Sequence, residues 1–497
     1  MLTRLKVNGF KNLQDVDVRL GPFTCIAGPN GVGKSNFFDA IAFLAALADK
    51  SLIDAVLSVR GQGNAGDLRS LFRRSGRDEG DRMSFLVEMI IPSAGEDLLG
   101  QEAEASMTYL TYQLELRYRS QAPGRPLGSI EIVSETLKHL NRSQARTNLG
   151  FDHSKAWRDS AVQGRRTSAF ISTTPDEGGT VVSLHADAGG QTGGRPRKVP
   201  ALGLPRTMLS SVNNAAEHRT LVLARQEMMS WMQLQLEPTA LRTPDSFTAP
   251  HTISANGAHV PATLHHLAQL EDQRRPGAAA DLYSRIANRL AELNEDARSI
   301  SVDMDEKRQL LSVVMTDRQD TPHMASSLSD GTLRFLALAV MEADPGPRSL
   351  LCLEEPENGI HPRRIPAMLR LLQDLAVDPD EPVGADNPLR QVIVNTHSPL
   401  VVAEVPDDSL LVAEAPVQWS AGQRTTRLRF SPLPDTWRGR LDPALAPVAR
   451  GKLQDYLNPL SSDDGPEGGD DVPVYERVKD RKDLQMFLPF ASRAAER

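Results

Sequence analysis

The sequence predicts a mixed α/β fold, a sheet flanked by helices, and three observations carry that expectation. Apolar residues alternate near the N-terminus, at Leu5 and Val7 and again at Val16, Val18 and Leu20. Period-two spacing of this kind reads as two strands joined by a short turn. A third apolar run, Phe23 to Ala27, leads directly into GPNGVGKS (Gly28 to Ser35) and then into NFFDAIAFLAALA, which is rich in helix formers. Further along, Leu350 to Leu353 and Gln391 to Asn395 are buried-type strands that end abruptly in polar residues.

Composition narrows the function classes. The chain has 497 residues, enough for a large core and for two or three domains. It is 40% hydrophobic and 24% charged, with a formal net charge of -8. No global basic field advertises nucleic acid, so such a contact would need a local patch. No apolar run approaches the roughly 20 residues that a spanning helix needs. The start, MLTRLKVNGF, lacks a signal-peptide core. Cys25 and Cys352 each lie in an apolar run and read as core residues. A cytoplasmic location without a membrane partner is the expectation.

GPNGVGKS matches G-x-x-x-x-G-K-[ST], the Walker A loop of P-loop nucleoside triphosphatases, and it sits in the strand–loop–helix context that the motif requires. Gly28, Gly31 and Gly33 let backbone N–H groups wrap a phosphate. The helix that follows points its positive end at the same anion. Lys34 is expected on the β- and γ-phosphates and the Ser35 hydroxyl on Mg²⁺. The candidate nucleotide contacts are Asn30, Gly31, Gly33, Lys34, Ser35 and Asn36, and the expected cofactors are ATP and Mg²⁺.

A bound nucleotide with its cation accounts for LCLEEPENGIHP (Leu351 to Pro362), where a greasy strand ends in two adjacent acids. Glu354 stands where a Walker B acid would hold Mg²⁺, and Glu355, one residue on, points elsewhere and can take a proton from an attacking water. SSLSDGTLRFLALAV (Ser326 to Val340) has a small polar turn opening an amphipathic helix. Ser329 is its plausible N-cap, and the helix dipole would attract a second phosphate. QVIVNTHSP (Gln391 to Pro399) puts His397 at a strand end, where a γ-phosphate contact is expected.

These four segments, in this order, resemble the ABC-type ATPase heads of the SMC, RecF and OLD-like families, and most of all the bacterial "AAA family ATPase" proteins of the OLD/RecF-like group. LSDGT (Leu328 to Thr332) is similar to their signature motif, EEPENGIHP to Walker B with the D-loop, NTHSP to the histidine switch, and NGFKNL (Asn8 to Leu13) to their first strand. The resemblance covers roughly residues 1–140 and 250–415. It implies a P-loop head of ABC type and a head-to-tail homodimer with ATP sandwiched between subunits. In it Ser329 and Gly331 would act on the partner's nucleotide, and Asn358, Gly359 and His361 would cross the interface. The implied catalytic set is Glu355, His397 and Lys34, with Ser35 and Glu354 on the metal. Two departures stand out. Glu354 replaces the commoner aspartate, and no Q-loop glutamine is evident in GNAGDLRSLF, where Gly66 and Asp67 match while Gln62 is out of register. There is no long heptad arm between the two halves.

The expected organisation is an N-terminal half of the head at 1–140, a basic and helical insertion at 141–250, the C-terminal half at 251–435, and an extension at 436–497. From Lys138 to Arg206 there are 11 Lys/Arg and five Asp/Glu, a local excess of +6. Such a stretch suits phosphate-backbone contact; a solvated surface loop is the alternative. Its aromatics, Phe151, Trp157 and Phe170, are too sparse for a stacking platform. Asn213 to Leu236 shows helical spacing, residues 261–297 read as two helices, and Ile300 to Met315 suggests a hairpin. Short strand-like pieces follow His397, then a helix around Lys452 to Leu457. Ser461 to Asp471 is an acidic linker, and Leu484 to Ala491 is an apolar tail segment for docking on self or partner. No Toprim-like set of acids is found in the last 80 residues, so no nuclease of its own is expected. The function expected is an ATP-driven dimerising switch, DNA-associated in repair or anti-phage defence, working with a separate effector. The competing readings are a non-catalytic ATP-dependent scaffold and a transport-type ATPase subunit, and the D-loop sequence does not favour the latter.

Overall fold

The N-terminal alternation forms an antiparallel pair, Leu2–Asn8 with Val16–Arg19, in which Leu5 faces Val18 and Val7 faces Val16. All four are buried. The computed structural model describes residues 1–59, 67–75, 78–120, 128–176, 179–187, 196–344, 346, 348–420, 423–449 and 451. Residues Met1–Pro447 pack as one unit and Val448–Arg497 as a second. The account below concerns the first. The expected helix near 452–457, the acidic linker at 461–471 and the apolar tail at 484–491 lie outside the described residues.

Among the described residues, two large sheets share one core. One has eight antiparallel strands in the order Arg197–Pro200, Gly179–Leu184, Ile171–Asp176, Ser129–His139, Tyr109–Arg119, Arg82–Ile90, Leu2–Asn8, Val16–Arg19. The other has six, in the order Trp231–Leu234, Leu350–Glu354, Gln391–Thr396, Phe23–Ala27, Leu410–Glu414, Arg429–Pro432. Its first five strands are parallel and the last is antiparallel. Strands buried on both faces are mostly apolar, which explains the runs at Phe23–Ala27, interrupted by Thr24, and at Leu350–Leu353. Parallel strands require crossovers, and the long connections between these strands hold most of the helices and six strands of the eight-stranded sheet, whose other two strands precede Phe23.

The Lys34–Leu47 helix joins the two sheets. The Phe37 ring lies 5.1 Å from Phe430 of the six-stranded sheet, and the Phe43 ring lies 5.8 Å from Phe85 of the eight-stranded one. Both rings are fully buried, each worth about 1.5–3 kcal/mol. The start of this helix, where the glycine loop ends, is thereby held from both sides.

Residues 141–250 supply three strands to the edge of the eight-stranded sheet and one to the six-stranded sheet. The helical spacing read over Asn213–Leu236 holds only to Met229. Trp231–Leu234 is a strand paired in parallel with Leu350–Leu353. A vacant sheet edge beside a buried strand outweighs local helical periodicity there. The two helices expected at 261–297 are Val260–Arg274 and Ala278–Leu293. The expected hairpin is Ala297–Asp305 with Leu310–Asp317, Val302 facing Val313. The longest helix among the described residues has 16 residues, and none is long and apolar enough to cross a membrane.

A buried acid pins the segment after the eight-stranded sheet. Glu135 is fully buried and accepts hydrogen bonds from Met208 N (2.6 Å), Leu209 N (2.9 Å) and the Tyr112 hydroxyl (3.2 Å). Burial outweighs these bonds and pushes its carboxyl up from 4.5 to about 7. Between those values the folded chain keeps a proton that the unfolded chain has released. The Glu135 contribution to stability is therefore full below the unfolded value and is lost as pH rises through the folded one. At roughly 1.4 kcal/mol per unit the loss is about 3 kcal/mol. Glu135→Gln should flatten the decline of the urea midpoint between pH 4.5 and 7. An unchanged slope in the variant would show that Glu135 is ionised across that range.

Candidate functional site

The glycine loop occupies the predicted strand–helix junction, between Phe23–Ala27 and Lys34–Leu47. Gly33 precedes the helix at φ 112, and no side chain caps the first turn. The positive φ is what makes this position need glycine, and a Cβ there would stand 2.3 Å from Asn12 Nδ2 and displace that side chain. Asn12 clamps the loop: its Nδ2 donates to Val32 O (3.3 Å), and its Oδ1 accepts from Asn36 Nδ2 (2.8 Å). The Lys34 ammonium donates to Gly28 O (2.5 Å) and Pro29 O (3.0 Å). Burial lowers its pKa, opposed by Glu355, Glu354 and Glu357. Asn30 and Gly31 are exposed on the loop.

The two adjacent acids diverge. Glu354 ends its strand with Oε2 accepting from the Ser35 hydroxyl (3.1 Å) and Oε1 from Gln233 Nε2 (2.9 Å). Glu355 takes a left-handed backbone, φ 48, and its N–H donates to Asn395 O (2.9 Å). Its Oε1 lies 2.7 Å from His397 Nδ1, and its Oε2 accepts from Asn358 Nδ2 (2.9 Å). A non-glycine residue at positive φ costs of order 1 kcal/mol and persists where surrounding contacts over-determine it. Two residues on, Glu357 is 8% exposed and accepts from Thr396 Oγ1 at 2.5 Å. Burial raises its pKa, opposed first by that bond.

Ser329 is the N-cap of the Asp330–Ala343 helix and accepts from Thr332 N (3.2 Å). Asp330 pairs with Arg242 at 2.5 Å. A Cβ on Gly331 would stand 2.4 Å from Gly359 O. Arg334 donates to Asn358 O and, at 3.2 Å, to Leu236 O. The start of the signature helix is therefore tied to the Asn358–Gly359 loop of the same chain, and Gly331 is demanded by that packing. His361 Nδ1 accepts from Arg363 N (3.2 Å) at the exposed end of the loop.

Comparison with known proteins follows these elements. A family model described as "AAA domain, putative AbiEii toxin, Type IV TA system" matches residues 23–89 and 230–403, which hold the glycine loop, signature, paired acids and His397. The OLD nuclease of Thermus scotoductus is 54% identical over 41 residues, 8% of this chain and 8% of that protein. The DNA replication and repair protein RecF of Paenarthrobacter aurescens is 27% identical over 186 residues, 34% of this chain and 43% of that protein. These matches support an ABC-type ATPase of the SMC, RecF and OLD group. The matched regions span less than half the length of either curated relative. Among solved structures, an Smc head bound to the C-winged helix domain of ScpA aligns with TM-score 0.46 at 12% identity, covering 86% of this chain and 97% of that one. The SMC head domain from Thermotoga maritima aligns at TM-score 0.36 and 12% identity, covering 87% and 98%.

The donor chemistry of this ABC-type site fits a hard cation. The Ser35 hydroxyl and the Glu354 carboxylate meet at 3.1 Å while Gln233 donates its amide to the other Glu354 oxygen, and Mg²⁺ takes few protein oxygens beside phosphate and water. Among the described residues no cluster of three His, Cys, Asp or Glu offers an alternative metal site. For ATP, the uncapped helix start, the glycine loop and Lys34 form the matching anion cradle.

Sequence reasoning missed three residues here. One is Gln233, which stands beside Glu354 on the strand that local periodicity disguised as helix. Gln62 and Gly66 lie outside the described residues, and Asp67 accepts from Arg69 N (3.0 Å) in a local turn. Parallel pairing of Trp231–Leu234 with the acid-bearing strand was the signal that a strand assignment would have exposed. Asn12 and Glu357 carry no spacing signature, because their partners lie 20 or more residues away.

The basic stretch is partly consumed by structure. Arg166 pairs with Asp187 (3.2 Å) and stacks 4.0 Å over Phe170, and Arg142 and Lys155 share Asp159. Phe151, Trp157 and Phe170 are core. Lys138, Arg165, Arg197, Lys198 and Arg206 are exposed, with Arg197 and Lys198 on the edge strand. Arg195 lies outside the described residues.

Proposed function

We propose that this chain binds and hydrolyses ATP with Mg²⁺, and that ATP drives head-to-tail dimerisation of a cytoplasmic switch. The observation that carries the reading is Glu355, held between His397 and Asn358 and turned away from Glu354. Ser35 and Glu354 would hold Mg²⁺, with Gln233 fixing the second oxygen of Glu354. When bound, Mg²⁺ supplies charge neutralisation at the phosphates. Lys34 exchanges its two loop carbonyls for phosphate oxygens. Glu355 accepts the proton of the attacking water, while His397 keeps the carboxylate in place.

A dimer places Ser329 and Gly331 opposite the partner's nucleotide. The support is the exposure of Ser329 at the start of the signature helix, together with the lock of that helix to the Asn358–Gly359 loop, which carries the neighbour of Glu355. DNA is the proposed surface ligand, met by the exposed edge strand of the eight-stranded sheet, and a separate effector protein acts downstream in repair or anti-phage defence. The relatives' names, OLD nuclease and RecF, support a nucleic-acid setting.

Glu355→Gln should retain ATP binding and lower turnover by at least about 100-fold, the scale of a lost general base. Lys34→Ala should weaken binding itself. Phosphate release and nucleotide titration check both, and near-normal turnover by Glu355→Gln would remove Glu355 from the catalytic role. A wild type that binds ATP without releasing phosphate would favour the scaffold reading.

Ser329→Arg should abolish hydrolysis and leave ATP binding by the single subunit intact. Mixed with Lys34→Ala, it should recover activity, because one composite site of the mixed dimer is whole. Mixed dimers that form and stay inactive would mean that each subunit works alone.

Changing Arg165, Arg197 and Lys198 to Glu should weaken DNA binding and flatten its salt dependence, which runs at about -0.9 per phosphate neutralised on log–log axes. ATP turnover without DNA should be unchanged. Equal affinity and slope in variant and wild type would leave these residues as a solvated edge.

A further inference from the structure

The acid at Glu357 has a second oxygen, Oε2, that is buried and has no hydrogen-bond partner among the described residues. Burying a carboxyl with half its acceptors unused is costly, and an apolar residue would pack the position more cheaply. What the carboxyl does provide is a single strong acceptor. Thr396 Oγ1 donates to Glu357 Oε1 at 2.5 Å, and with its proton so directed it accepts from Ser398 N at 2.9 Å. Thr396 is fully buried, and its carbonyl oxygen accepts from Gly28 N at 3.2 Å, at the entrance of the glycine loop. His397, between Thr396 and Ser398, is the residue that holds Glu355.

We propose that Glu357 is a positioning residue for ATP hydrolysis: by fixing the rotamer of the Thr396 hydroxyl it sets the Thr396–Ser398 turn, and with it the aim of His397 at Glu355. The inference deepens the reading of ATP hydrolysis given above and rests on it. A hydroxyl without this acceptor is free to rotate and donate elsewhere, which removes the acceptor of Ser398 N and loosens the turn. The wiring also closes a ring: Glu357 and Glu355 leave one strand end, Thr396 and His397 leave the next, and each acid meets one of the two. The action of Glu357 runs through Thr396, the side chain that its Oε1 meets.

The test compares Glu357→Ala, Glu357→Gln, Thr396→Val and the Glu357→Ala/Thr396→Val double variant. Steady-state turnover is measured with ATP and Mg²⁺, and hydrogen exchange is measured over residues 395–404 without nucleotide. Glu357→Ala and Thr396→Val should each lower kcat about tenfold with KM for ATP within about twofold, the scale of one buried hydrogen bond. The double variant should be no slower than either single, since both break one link. Glu357→Gln, whose amide oxygen still accepts from Thr396, should keep at least half of wild-type kcat. Exchange at 396–399 should be faster in Glu357→Ala and near wild type in Glu357→Gln. Unchanged kcat in Glu357→Ala, multiplicative losses in the double variant, or no recovery in Glu357→Gln would overturn the proposal. A wild type without turnover would refute hydrolysis instead, and the exchange comparison would then decide the Glu357–Thr396 link. Should Glu357→Ala fail to fold, the near-isosteric Thr396→Val and Glu357→Gln pair carries the same comparison.

Discussion

Everything at the candidate site depends on the chain turning left-handed at Glu355. Up to Glu354 the backbone is a buried parallel strand, and a strand sends successive side chains to opposite faces. The positive φ at Glu355 breaks that alternation just beyond the sheet. Glu354 is left facing Ser35 and Gln233, and Glu355 is left facing His397. Two acids adjacent in sequence thereby serve different partners. The conformation is paid for locally by the Glu355 N–H bond to Asn395 O and by the two bonds on its carboxylate.

The supporting framework is the order of the parallel strands. Trp231–Leu234, Leu350–Glu354, Gln391–Thr396 and Phe23–Ala27 lie side by side, and their C-terminal ends deliver Gln233, the paired acids, His397 and the glycine loop to one edge. Register keeps these ends level: Glu354 pairs with Asn395, and Thr396 with Ala27. Side chains from segments up to 319 residues apart meet within hydrogen-bond distance for that reason. The Lys34–Leu47 helix then locks the edge to the eight-stranded sheet through Phe37 and Phe43.

The signature segment shows how one residue type can answer two demands. Glycine in a signature segment suits an anion site, yet Gly331 is buried here and the close approach of Gly359 O already excludes any side chain. Arg334 adds a second tie, from the same helix to Asn358 O. The helix start and the loop beside Glu355 are therefore tied to each other within the chain.

The amino-acid sequence by itself determined the local chemistry: the glycine loop with Lys34 and Ser35, the Ser329 N-cap, the strand ending in Glu354 and Glu355, and the strand ending in His397. Each is legible because its cause is local, whether a glycine that a turn requires, a hydroxyl that caps a helix, or an apolar run that must be buried. Tertiary structure alone decided which strands are neighbours, and from that followed Gln233 beside Glu354, Asn12 across the loop from Asn36, and Glu357 under Thr396. It also decided that Trp231–Leu234 is a strand despite its helical spacing, and that Arg166 is a buried stacking and pairing group while Arg197 and Lys198 stay exposed. The physical reason is the same in each case. Sheet pairing and buried polar bonds join residues whose separation along the chain carries no period, so only the packed fold specifies the partner.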